Sequence, residues 1–105
     1  ADGFLNTLVD QFIGEGEHLI SQLEQALDQA NYAAYTEAAH QLMDNSSYMG
    51  AVALFEYGSS AARVSRAQFP EQAAGLTLEI RQAYENAREA LRDFLRKRSD
   101  SAAGR

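Results

Sequence analysis

Apolar residues recur every third or fourth position through almost the whole chain, a spacing that an α-helix can bury on one face and a strand cannot. From about Asp2 to Gln29 the stripe is Leu5, Leu8, Val9, Phe12, Gly16, Leu19, Ile20, Leu23, Ala26 and Leu27, with Asp2 placed to cap the helix. Gly14 and Gly16 interrupt it, each at about 1 kcal/mol relative to Ala in a helix interior. Two outcomes fit: one long helix with a local weakness, or two helices meeting near Gly14. A close approach of a neighbouring backbone to Gly16 would explain that glycine. Ala30-Asn31 reads as a turn. A second helix then runs from about Tyr32 to Ser47 on the stripe Tyr32, Tyr35, Ala39, Leu42, Ser46 and, at its edge, Met49.

Gly50 separates this helix from a third, about Ala51 to Arg66, whose inward set is Ala51, Leu54, Phe55, Gly58, Ala61, Ala62 and Ser65. Ala67-Gln68-Phe69 is a connector, and Pro70 suits the first turn of a fourth helix reaching about Arg98. Its seam is Ala73, Leu76, Ile80, Ala83, Ala87, Ala90 or Leu91, and Phe94. The tyrosines read as core edges, and no segment has a strand signal. Four amphipathic helices joined by short loops predict an all-α antiparallel four-helix bundle over residues 1–98. Residues 99–105 carry no apolar side chain larger than alanine and are expected to be a disordered tail.

The bulk composition narrows function mainly by exclusion. A chain of 105 residues makes one domain. Its net charge of −6 disfavours nucleic acid and anionic membrane surfaces, which are bound through clustered Lys and Arg. Without cysteine there is no disulfide and no thiolate metal site, which fits a reducing compartment. No apolar run is long enough to span a bilayer. The chain begins at Ala1 rather than Met, compatible with a piece of a longer protein.

Two histidines remain as candidate chemistry. His18 falls on the polar face of the first helix with Gln11 and Glu15 and reads as an ordinary surface histidine. His40 lies about 130° from the centre of the second helix's apolar stripe, on the solvent side. Its helical neighbours are Thr36, Glu37, Met43, Asp44 and Ser47. Small residues flank it: Ala38 and Ala39 before, Ser46 and Ser47 after, then Gly50-Ala51. A neutral imidazole is a nucleophile, and small neighbours leave it open to a flat partner. His40 and Asp44 at i, i+4 are two metal ligands without a second pair, so no metal or cofactor is expected. A Ser–His–Asp hydrolase lacks any oxyanion or elbow motif.

The pattern Ala39-His40-x-Leu42, Ser46, Gly50-Ala51 and Leu54 resembles the signature of histidine-containing phosphotransfer (HPt) domains, and helix order and lengths extend the resemblance over about residues 4–95. The resemblance implies a four-helix bundle in which His40 is the phospho-acceptor and Gly50 ends its helix. Thr36, Glu37, Met43, Asp44 and Ser47 would then form the docking surface around the imidazole. It implies response-regulator receiver domains as partners; these supply the metal ion and cationic groups, so the bundle needs no catalytic machinery of its own. It also implies a cytoplasmic monomer, carried as the C-terminal module of a hybrid sensor histidine kinase or detached from it. A kinase domain in the same chain would be a second partner.

Two positions depart from the family pattern. Three residues after the histidine the family usually has lysine, and four after it glycine; here stand Met43 and Asp44. Met43 cannot offset phosphoryl charge. Repulsion by Asp44 would cost about 1–3 kcal/mol after screening. The alternative expectation is therefore a degenerate HPt bundle that docks a receiver or kinase domain without being phosphorylated.

Overall fold

The computed structural model describes residues 2–48 and 51–103. Within them are four α-helices and no strand: α1 (Asp2–Asp28), α2 (Tyr32–Tyr48), α3 (Val52–Ala62) and α4 (Phe69–Ala103). Each helix packs on the next and α4 returns to α1, so α2 and α4 lie diagonally across the core. The shape is elongated, 58 × 19 × 19 Å, because α1 and α4 are much longer than the pair between them.

The all-α four-helix bundle is as expected, and the stripe of α2 is the buried one: Tyr35, Ala39, Leu42 and Ser46, joined by Ala38. The α1–α2 turn is closed by backbone bonds from Ala30 N–H to the Leu27 carbonyl (3.1 Å) and from Asn31 N–H to the Ala26 carbonyl (2.8 Å). Ala30 takes the left-handed position at φ 53°, normally glycine's place. The Asn31 side chain then accepts from the Ala34 N–H (3.1 Å) and caps α2.

Several expectations change. α1 is one helix, the first of the two outcomes that fitted the sequence, but Gly16 is approached by a ring rather than a backbone: a Cβ there would sit 2.7 Å from Tyr84 Cε1. α3 stops at Ala62 instead of Arg66 because the chain turns inward at Val64, whose carbonyl accepts from the Tyr32 hydroxyl (2.6 Å). The presumed connector residue Phe69 is core, packed edge-on against Tyr32 and Tyr35. Ser65 and Phe55, expected inside, are exposed. On α4, Thr77 and Tyr84 are buried beside Ala73 and Ile80, while Ala90 and Phe94 face out. Tyr35 and Tyr84 are central core residues, whereas Tyr48 is exposed. The fourth helix also continues past Arg98, so residues 99–103, expected as disordered tail, are helical backbone. No proline or glycine lies between Arg98 and Ala103 to stop it. The expected turn at Gly50 and the stripe position of Met49 fall outside the described residues.

Candidate functional site

The second helix carries His40 on a firmly held backbone. Tyr35, Ala39 and Leu42 beneath it are fully buried. The Tyr35 hydroxyl reaches across the core to Thr77 Oγ1 (2.9 Å), and Thr77 in turn donates to the Ala73 carbonyl (2.6 Å). Burial pushes the Tyr35 phenol up from its ordinary value, against the lowering effect of the Thr77 bond. Thus a diagonal polar tie holds α2 to α4 without leaving a described buried side-chain polar atom unsatisfied.

Small residues bring the neighbouring helices close. On the α3 side, a Cβ on Gly58 would sit 3.3 Å from Met43 Cγ and 3.6 Å from the Ala39 carbonyl oxygen. On the α1 side, Asn45 Nδ2 donates to the Phe12 carbonyl (3.4 Å). The buried set of α2 therefore faces the core, and His40, about 140° away from its centre, stands exposed on the crest.

The five expected docking residues separate into different roles. Thr36 is half-buried, and its hydroxyl donates back to the Ala33 carbonyl (3.2 Å), so it is committed to its own helix. Met43 is half-buried over Gly58, a packing contact between α2 and α3. Glu37 is exposed and lines a groove with Gln22, Gln25 and Gln41. Asp44 is exposed in a groove of about 440 Å³ between α1 and α2, with Gln11, Glu15 and Tyr48. Ser47 is exposed in a cleft of about 290 Å³ between α2 and α3, with Val52, Phe55 and Glu56. Glu37, Asp44 and Ser47 therefore remain available around His40. Among the described residues no cluster of His, Asp and Glu could hold a metal ion.

Sequence periodicity missed the apolar side chains of these clefts. Tyr48 is 88% exposed and Val52 65%. Tyr48 is two turns past His40 and off the stripe, which was the available signal; nothing in the spacing marked Phe55 as outward. Charge is also unevenly placed. All nine Lys and Arg residues lie at or after Arg63, whereas nine of the fifteen acidic residues precede it. The walls flanking His40 thus contain no cation of their own until the end of α3.

The arrangement offers one exposed imidazole on a firmly held helix, beside two grooves and a cleft. It can accept a group from a second protein that brings the rest of the chemistry. A family model described as Hpt domain matches residues 7–90, a span that includes His40, the two grooves, the cleft and most of the core beneath them. No curated protein and no solved structure matches the chain.

Proposed function

The chain belongs to the Hpt domain family, whose members take part in histidine phosphotransfer in two-component signalling and interact with receiver domains, and from that premise we propose that His40 is its phospho-acceptor. The carrying observation is the position of His40: exposed on the crest of α2, between open grooves, on a backbone fixed from below. His18 is exposed too, but on α1.

In the proposed step an unprotonated ring nitrogen of His40 attacks the phosphorus of a receiver's aspartyl phosphate. The N–P bond forms as the bond to the carboxylate oxygen breaks, and the aspartate leaves as a carboxylate. The ring then carries one excess proton, which passes to solvent when the neutral phosphoimidazole forms. The reverse sequence returns the group to a receiver. Placement at the end of a hybrid sensor kinase, on the cytoplasmic side, suits this chemistry; no described helix is long and apolar enough to cross a membrane.

Incubation with a phosphorylated receiver is expected to give acid-labile, base-stable label on the wild type and on His18→Gln, and none on His40→Gln. Label persisting on His40→Gln would sink the assignment. A second reading has its own support: Glu37 and Asp44 flank the imidazole, and Met43 stands where the family usually has lysine. In that reading the bundle docks a receiver without carrying phosphate, and the wild type would bind but take no label.

A further inference from the structure

The face around His40 pairs an apolar strip with charges of one sign. Tyr48 at the end of α2, and Val52 and Phe55 at the start of α3, are 88%, 65% and 38% exposed. Tyr48 lies eight residues past His40, about 12 Å along the helix. Glu15 and Asp44 border the groove on the α1 side of this strip, and Glu56 borders the cleft on the α3 side. None of these carboxylates forms an ion pair with a described residue. By contrast, Glu17, Glu24, Glu85 and Asp93 are matched by cations of α4, although Glu71, Glu79 and Glu89 on that helix form no ion pair with a described residue.

We infer that this face docks a receiver domain whose own docking surface is apolar at its centre and ringed by Lys and Arg. Interfaces place apolar groups at the core and complementary charges at the rim. Rim charges act mainly on encounter rate and on rejecting wrong partners. A receiver with an acidic rim would meet several uncompensated carboxylates at once, and the nearest part of this chain offers nothing to offset them. A basic receiver would also bring the cations that a phosphoryl group on His40 lacks here. The inference rests on the receiver as partner, and it stands or falls independently of whether His40 carries phosphate.

The test uses one receiver domain with Lys and Arg around its phospho-acceptor aspartate, and the same domain with those residues changed to Glu. Binding to the wild-type bundle is measured by titration calorimetry at low and high salt. The basic form is expected to bind, and to weaken by about tenfold or more from roughly 0.01 M to 1 M ionic strength, as the screening length shrinks from about 30 to 3 Å. The Glu form should bind about tenfold more weakly at low salt. Glu15→Lys with Asp44→Lys, both exposed positions, should reverse that preference, while Tyr48→Ala should weaken binding of the basic form at every salt concentration. Equal affinities for the two forms, salt-independent binding, or no binding of the basic form would each overturn the inference. Label transfer to His40 is scored separately: binding as expected without label sinks the phospho-acceptor assignment and leaves the docking inference in place.

Discussion

The two sides of the bundle are held by different means. Where α1 meets α4, directional contacts dominate. Arg81 bridges Glu17 and Glu24, the latter by two bonds of 2.9 and 3.3 Å. These carboxylates hold the guanidinium's pKa further above its ordinary value, with the Glu24 bond the largest cause. The Tyr84 hydroxyl donates to the Ile13 carbonyl (2.6 Å), and its ring fills the space left by Gly16. Burial, reinforced by the Glu17 charge, pushes that phenol up. Where α2 meets α1 and α3, the packing is of buried side chains, Tyr35, Ala38, Ala39, Leu42 and Ser46, with Met43 over Gly58, and the outer surface is left open. The difference teaches how a bundle can keep an exposed reactive helix in place: its rigidity comes from the core beneath and the wall opposite. The reactive side then needs no side-chain network that a docking partner would have to break.

The strongest way to break this comparison is to remove the Tyr84 ring. Tyr84→Ala should cost about 3–5 kcal/mol in urea denaturation, since it empties a fully buried site and drops the Ile13 bond. A loss below about 1 kcal/mol would mean the α1–α4 wall is not what holds the bundle. Gly16→Ala tests the same seam from the other helix. Its methyl would meet Tyr84 at 2.7 Å, so a loss of about 1–3 kcal/mol is expected, unless the ring swings aside. Label transfer to His40, measured well below the melting temperature, should be retained in both variants.

The smallest stability effect is expected on the open side. Asp44 is exposed and makes no described ion pair, so Asp44→Ala should change stability by no more than about 0.5 kcal/mol. With receiver at saturating concentration, so that weaker docking does not enter the rate, transfer to His40 should instead speed up by about tenfold, because one carboxylate a helical turn away is gone. Met43→Lys should add to that gain; its stem can stay over Gly58 while the ammonium reaches solvent. If neither variant alters the rate, charge beside His40 does not limit the chemistry.

Much of this was legible in the spacing of residues. The seam Tyr35, Ala39, Leu42 and Ser46 follows a 3–4 repeat, and that repeat alone turns His40 away from the core. Val64 and Phe69 were missed because they lie across a turn, where no period connects them to a stripe. Thr77 was missed because a polar residue reads as surface until its partners are known; the Ala73 carbonyl and the Tyr35 hydroxyl satisfy it inside. Met43 was expected beside the imidazole as an open neighbour, and the approach of α3 at Gly58 makes it a packing residue.

The amino-acid sequence by itself determined the helices, their order, the buried face of α2 and the exposure of His40, because these depend on periodicity within one segment. The tertiary structure decided which surfaces meet: Gly16 with Tyr84, Gly58 with Met43, Arg81 with Glu17 and Glu24. Those pairings depend on the rotation and axial level of one helix against another, and residues far apart in the chain carry no local mark of them. The same packing decided that Tyr48, Val52 and Phe55 would face outward around an acidic rim, where a second protein can meet them.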